Sequence, residues 1–412
     1  MKDKQTLTNE VSPRYRKAGK KEKGTILDEF INITGYTRKY AIHLLSTWNT
    51  THWVNRNGIL VRLKTGTPQK RKKRTGTPRY GPDVIKVVRL LWAEYDYRCG
   101  KLLAPQIRLI LPFLEHDEIF GPLITPEITA QLLTISGATI DRRLQADRKK
   151  LALTGKTLTK PGTLLKNQIP IRAYFSWDER KPGYFEMDTV SHCGTSSYGE
   201  FCSTVNLTDV SSGWVELRAA RNRAHSRVKQ SIIDIRDSLP FPLKGVDSDS
   251  GGEFINHQVW HWCTEHGVEF TRSRPYRKND NCFVEQKNGD IVRKAVGYYR
   301  YDTDEETAAL AEVYRLLCPL VNFWYPSIKI TGKERLENGK LKKSYDTPKT
   351  PYQRLLESPD LSTSVKAELQ RRAAATNPVM LKRLEHQAVA RLLQIHERKQ
   401  GEGLPPLSDA HG

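Results

Sequence analysis

The apolar positions along the chain change period twice. In KGTILDEFINITGYTRKYAIHLLSTW, Ile26, Leu27, Phe30 and Ile31 recur at helical spacing. Thr34-Gly35-Tyr36 interrupts them, and Tyr40, Ala41, Leu44 and Leu45 resume on one face of a second helix. From Pro82 to about Leu153 the pattern is helical again. Thr125 precedes Pro126 and Glu127, a helix start with cap and proline in order, and Ser136-Gly137 breaks the chain before ATIDRRLQADRKK. From about Gly183 the period shortens. YFEMDTV, EFCSTVNLTDV and GWVELRAA are rich in Val, Phe, Thr, Tyr and Trp and predict strands. RAHSRVKQSIIDIRDSL follows as an amphipathic helix, with Val228, Ile232, Ile235 and Leu239 on one face. FPLKGVDSDS then predicts a strand, NHQVWHWCTEHG a helix, VEFTRS a short strand and NDNCFVEQKNGDIVRKAVGYY a helix. Three strands followed by alternating helices and strands predict an α/β unit with a mixed five-stranded sheet and helices on its faces.

Beyond it, ETAALAEVYRLLCPLVNFWY reads as a helix and KITGKERLENGKLKKSYD as a hairpin turning at ENGK. SVKAELQRRAAATNPVMLKRLEHQAVARLLQIHERK is a charged helical tail, and GEGLPPLSDAHG is expected to be disordered. The fold class is therefore multidomain. An N-terminal helical unit spans 1–68, a basic linker 69–81 and a second helical unit 82–155. The α/β unit spans 176–300, a part with a small β element 301–375, and the tail 376–412.

Charge gives the helical units a partner. The chain carries 67 Lys and Arg against 46 Asp and Glu, a net charge of +21, which points to a polyanion and first of all to nucleic acid. Hydrophobic residues at 38% support packed domains rather than a disordered chain. No apolar run reaches membrane-spanning length, and the N-terminus lacks the apolar centre of a secretory signal. The 6 cysteines are scattered with no CxxC pair, which fits a reducing cytoplasm. Helix, short turn and helix in a basic chain reads as helix-turn-helix, with Thr37, Arg38 and Lys39 opening the recognition helix. A plain helical hairpin is the alternative. Thr139, Arg142 and Arg143 hold the same position in the second unit, and Arg71, Lys72, Lys73 and Arg74 of the linker can track phosphates.

Three acids stand out. Asp188 lies inside the first strand, where a carboxylate needs a charge partner. Asp249 ends the strand FPLKGVDSD, and Glu285 lies near the start of the helix in NDNCFVEQKN. Oxygen ligands of this kind suit Mg²⁺ or Mn²⁺, and two such ions serve phosphodiester chemistry. Sixty residues separate Asp188 from Asp249, and 35 separate Asp249 from Glu285. With DSDSGGEFIN and SRPYRKNDNCFVEQKN around them, residues 184–295 resemble the catalytic core of retroviral integrases and of bacterial insertion-sequence transposases.

That resemblance implies an RNase H-like core, a DDE-type polynucleotidyl transferase activity, and Asp188, Asp249 and Glu285 as catalytic ligands of two Mg²⁺ or Mn²⁺ ions. Ser250 departs from the Asn usual after the second Asp. Asp247 rivals Asp249 for that role and, sharing its face, otherwise supports it from behind. Asn288, one turn beyond Glu285, is a further polar support. Lys287, Arg293 and Lys294 on the same helix are candidate grips on DNA phosphates, or a solvated face. The implied function is a transposase that cleaves 3′-ends at its element and transfers them to target DNA. The implied partner is double-stranded DNA, the implied state a homo-oligomer, and the location the bacterial cytoplasm at the nucleoid. A metal-dependent nuclease on the same core and a DNA-binding regulator without catalysis are the competing readings. A zinc site from His257, His261, Cys263 and His266 is outweighed by packing through Trp260 and Trp262.

Overall fold

The computed structural model of the protein describes residues 2–56, 59–64, 79–151, 181–222, 224–248, 257–272, 282–335 and 341–402. The chain divides into two units, Met1–Pro78 and Arg79–Gly412. In the first, α1 (Lys2–Lys17), α2 (Lys20–Thr34) and α3 (Arg38–Thr47) enclose a core of Tyr15, Ile26, Leu27, Phe30, Ala41 and Leu45. Gly35 ends α2 in the left-handed region at φ 68, and its N–H closes on Ile31 O at 2.8 Å. Tyr40, expected on the apolar face, is instead 49% exposed and meets Tyr36 edge-on. Helix α1 was not anticipated, although Leu7, Val11 and Tyr15 recur every four residues and pack on this core. A hairpin of β1 (Thr51–Arg56) and β2 (Ile59–Lys64) was not anticipated either. Its sequence signal was the Asn-Gly pair at 57–58 between the strands.

The second unit opens with α4 (Pro82–Glu94), α5 (Gly100–Leu114), α6 (Pro126–Thr134), α7 (Gly137–Arg143) and α8 (Gln145–Leu151). Thr125 caps α6 by accepting from Ile128 N at 3.4 Å, and Ser136 caps α7 by accepting from Thr139 N at 3.2 Å. Leu91, Leu103, Ile107, Ile110, Leu114, Leu132 and Ile140 form the core between these helices. The first turns of α5 and α7 touch through glycines, since a Cβ on Gly100 would stand 2.1 Å from Gly137 O.

The five-stranded sheet has the order β5-β4-β3-β6-β7, from β3 (Tyr184–Ser191), β4 (Ser203–Asp209), β5 (Val215–Ala220), β6 (Gly245–Ser248) and β7 (Glu269–Arg272). The first three strands are antiparallel neighbours, and β6 and β7 run parallel to β3. This is the mixed sheet that the alternation predicted. Phe185, Met187, Leu207, Val246 and Phe270 pack with α9 (His225–Ser238) and α10 (His257–Glu265), through Val228, Ile232, Ile235, Val259 and Trp262.

The helix expected over 279–299 runs without a break through Cys282–Val296, but not all of it as α-helix. It consists of α11 (Cys282–Lys287), a π-helical turn over Asn288–Arg293 and α12 (Lys294–Val296), ended by Gly297 at φ 71. Residues 279–281 lie outside the described residues. Helix α13 (Asp304–Pro319) lays Leu310, Val313, Tyr314 and Leu317 against Val190, Val215 and Leu217 of the sheet. Strands β8 (Ile330–Arg335) and β9 (Leu341–Tyr345) pair antiparallel, the ENGK turn between them lying outside the described residues. The chain goes on through α14 (Pro351–Glu357), α15 (Thr363–Ala374) and α16 (Pro378–Glu402). Helix α14 was not anticipated, though Thr350 and Gln353 form a capping box around Pro351. Helix α16 is tied down at both ends. The buried Lys382 meets Asp96 at 2.8 Å and Glu385 at 2.9 Å, and Lys399 meets Asp302 at 2.9 Å and Glu306 at 2.7 Å. Among the described residues no helix is long and apolar enough to cross a membrane.

The glycine contact between α5 and α7 is testable. Gly100→Ala drives a Cβ into backbone that cannot move without separating the helices, and should cost about 1–3 kcal/mol in urea unfolding of the full chain. Wild-type stability in that variant would mean the two helix starts do not need the contact.

Candidate active site

Alternation along the strands sorts chemistry from packing. On β3, Phe185 and Met187 enter the apolar core, so Glu186 and Asp188 face the other side. On β4, Val205 and Leu207 do the same, leaving Thr204, Asn206 and Thr208 opposite. The register pairs Asp188 with Asn206, Glu186 with Thr208, and Glu186 with Asp247 of β6. These residues form a polar floor beneath the segment that runs from α11 into the π-helical turn. Glu186, Asn206, Thr208 and Asp247 are buried, whereas Asp188 is half-buried.

Buried polar groups at this density need partners. The Glu186 carboxylate accepts the Val284 N–H at 3.0 Å, which fastens α11 to β3. Asp247 accepts from the Thr271 hydroxyl of β7 at 2.6 Å. A relay of donors then ends on Asp188. Thr208 Oγ1 donates to Asn206 Oδ1 at 3.1 Å, Asn206 Nδ2 to Asn288 Oδ1 at 2.7 Å, and Asn288 Nδ2 to Asp188 Oδ2 at 2.6 Å. The second Asp188 oxygen accepts the Thr189 N–H at 2.7 Å.

Asp188 and Asn288 are thus brought together. Glu285 follows the buried Val284 on α11, and its side chain lies outside the described residues. Asp249 also lies outside them; the last described pairing of β3 with β6 is Met187 with Ser248. Lys287 is half-buried, and burial, with the guanidiniums of Arg98 and Arg354 nearby, pulls its ammonium down to about 8. Arg293 turns inward, donating to Ser191 O at 2.6 Å and Gly297 O at 3.3 Å. Lys294 is exposed and stands 3.7 Å from Asp290.

Thr37, Arg38 and Lys39 are exposed at the start of α3, with Arg38 paired to Asp28. In α7, Arg142 donates to Thr139 at 3.0 Å and Arg143 to Tyr80 O at 2.7 Å. Arg71, Lys72, Lys73 and Arg74 lie outside the described residues. On α10, His261 pairs with Glu265 at 3.3 Å, and His266 stacks on Trp262. Burial pushes the Cys263 thiol up to about 12. Among the described residues, no three His, Cys, Asp or Glu side chains come together to hold a metal. Sequence reasoning missed Glu186. Its signal was an acid two residues before Asp188 in a strand otherwise built for burial.

Residues 178–278 match the family model of the integrase core domain, a span that contains Asp188 and Asp249 and stops before Glu285. The catalytic core domain of BIV integrase is a structural neighbour at 18% identity, covering 43% of this chain and 95% of that one, with a TM-score of 0.29. A chain of the simian T-cell lymphotropic virus intasome, solved with PP2A regulatory subunit B56 gamma, is another at 17% identity, covering 41% and 56%, with a TM-score of 0.25. With its mixed sheet and polar floor, the second unit carries an integrase-type core, and the protein is of the integrase and transposase class. Over 349 residues the chain is 37% identical to the uncharacterized protein y4rM of Sinorhizobium fredii, spanning 84% of this chain and 93% of that protein. It belongs to the same family as y4rM.

The Glu186 contact makes a prediction that needs no activity. Hydrogen bonds to charged groups contribute about 1.5–3 kcal/mol, so Glu186→Ala should speed amide exchange at Val284 about tenfold or more. Glu186→Gln keeps an acceptor oxygen and should retain most of the protection. Unchanged exchange in the alanine variant would remove Glu186 as the anchor of α11.

Proposed function

We propose that the protein is a DNA transposase that cleaves at the ends of its own element and joins the resulting 3′-ends to target DNA. The observation that carries this reading is the Asn288–Asp188 hydrogen bond. It joins the strand bearing the first acid to the helical segment bearing Glu285, on the polar face of an integrase-type core.

Asp188, Asp249 and Glu285 are the proposed metal ligands. The pairing of Met187 with Ser248 supports Asp249 over Asp247, because 188 and 249 are the residues that follow that pair in the sequence. Asp247, already engaged with Thr271 and in register with Glu186, serves as support. The donor set fits a hard divalent cation, since the candidate ligands are carboxylates and the neutral Asn288 amide holds Asp188 without cancelling its charge. Bound Mg²⁺ or Mn²⁺, two ions per site, would supply Lewis acidity to the phosphate and its attacking and leaving oxygens. The chain's own share is to hold the acids in place, as the donors on Asp188 do. In each step an oxygen nucleophile attacks phosphorus in line and one P–O bond forms as another breaks. Water is the nucleophile in cleavage and the freed 3′-hydroxyl in joining, with no covalent protein intermediate.

Helices α2 and α3, with Thr37, Arg38 and Lys39 exposed, are the proposed helix-turn-helix that reads the element end. Helices α6 and α7 are the second, with Thr139, Arg142 and Arg143 at its outer face. Two ends must be processed together, so the proposed assembly is a homo-oligomer on DNA.

The test uses purified full-length protein, Mg²⁺ or Mn²⁺, and DNA covering both flanks of its own gene. Defined nicks and joined products are expected. Asp188→Asn and Glu285→Gln should each lower both reactions by about 10³-fold or more, roughly 4 kcal/mol in the barrier. Cutting that survives Glu285→Gln would sink the triad. Cutting without joining would make the protein a nuclease, and tight binding with neither would make it a regulator.

A further inference from the structure

The β1–β2 hairpin lies outside the elements assigned a role above. Its strands pair over six register positions, from Thr51 with Lys64 to Arg56 with Ile59. Its described side chains lie in the open. Trp53 is 63% exposed, Leu60 66% and Val54 40%, and Thr51, His52, Asn55, Arg62 and Lys64 are exposed as well. Among the described residues no third strand pairs with it, and a two-stranded hairpin alone is marginal in water. A bare tryptophan and leucine on such a ribbon mark a contact surface.

Charge selects the partner. Residues 51–64 contain Arg56, Arg62 and Lys64 and no Asp or Glu. The first 78 residues carry 18 Lys and Arg against 5 Asp and Glu. A second copy of this surface would be repelled, and an apolar protein face would strand the cations. Trp53 stands opposite Arg62 in the register, and Thr51 opposite Lys64, so the ring and both cations share one side of the ribbon. A polyanion with apolar edges between its charges matches that combination. Duplex DNA has this form, with phosphates flanking sugars and base edges, and its major groove admits a two-stranded β-ribbon.

We propose that the β1–β2 hairpin is a second DNA-contacting element of the N-terminal unit, seated in a groove of duplex DNA with Arg62 and Lys64 toward phosphates and Trp53 against the groove wall. The proposal rests on the reading that the protein acts on DNA. It adds a contact that helix α3 does not supply, and one tolerant of sequence, because a ring and point charges read shape and backbone rather than base identity.

The experiment uses the full chain and two duplexes of about three helical turns, one from the flank of its own gene and one of scrambled sequence. Hydrogen exchange across residues 51–64 is measured with and without each duplex. Binding is measured against salt for wild type, Trp53→Ala, Trp53→Phe, Arg62→Ala and Lys39→Ala. Both duplexes should slow exchange in the hairpin about tenfold. Trp53→Ala and Arg62→Ala should weaken both duplexes about 3- to 10-fold, Trp53→Phe should retain most of the affinity, and Arg62→Ala should lower the salt slope by about one. Lys39→Ala should weaken mainly the flank duplex. If the duplexes bind, but the hairpin gains no protection and its variants bind like wild type, the hairpin proposal is overturned while the DNA reading stands. If neither duplex binds, the DNA reading fails and takes the hairpin with it. Protection that follows protein concentration without DNA, or that follows phosphatidylglycerol vesicles instead, would assign the surface to a second copy or to a membrane and overturn the proposal.

Discussion

The cost of holding carboxylates away from water organises the second unit. Glu186 and Asp247 are buried on one face of the sheet and paired in register, and Asp188 is half-buried two residues further along β3. Such groups persist only with donors aimed at them. One comes from a neighbouring strand, the Thr271 hydroxyl, and two come from the helical segment above, the Val284 N–H and the Asn288 amide. The acids therefore decide where that segment lies. Were β3 apolar on both faces, hydrophobic contact alone would hold it, with far less directional control than hydrogen bonds give.

The segment's own pattern meets the same demand. Val284, Asn288, Ile291 and Val292 recur every three to four residues, and Val284, Ile291 and Val292 are buried. Val284 and Asn288 are the two that bond to the acids of β3. The switch from α to π geometry begins at Asn288. Extra-wide turns of this kind accompany functional sites in other proteins, and here the change starts at the residue that holds Asp188. Arg293 closes the turn against Ser191 at the far end of β3. The helical segment is thus fastened to one strand at three points, Glu186, Asp188 and Ser191.

Much of this was legible in the sequence, for physical reasons that also explain the rest. Strands β3 and β4 alternate because Phe185, Met187, Val205 and Leu207 enter one apolar core, so the succession of strands and helices could be read from period. Asp188 stood out because an acid among Met187 and Val190 needs a reason. Glu186 did not, because its partner is a backbone N–H almost a hundred residues away, which no local pattern signals. Helix α1 was obscured by its lysines and arginines, with only Leu7, Val11 and Tyr15 marking a face. In the β1–β2 hairpin, β1 shows no clear alternation, and the alternation Val61-Arg62-Leu63-Lys64 of β2 is too short to stand out beside the basic stretch that follows. Tail residues such as Leu392 and Ile395 join the core built on Val190 and Leu217, a tertiary fact that periodicity cannot carry.

The two units differ sharply in charge. Residues 1–78 hold 18 basic and 5 acidic side chains, while the remaining 334 residues hold 49 and 41. The larger unit is therefore close to balanced for its size. Among its described cations, Arg293 is engaged with carbonyls, and Lys382 and Lys399 with acids. The small unit keeps Lys39, Arg62 and Lys64 exposed. Affinity for a polyanion rises with the phosphates neutralised and falls with salt, whereas the geometry of a carboxylate site depends on neither. A chain built this way can meet a polyanion through one unit, at a strength set by ionic conditions, while the other fixes its acids by hydrogen bonds.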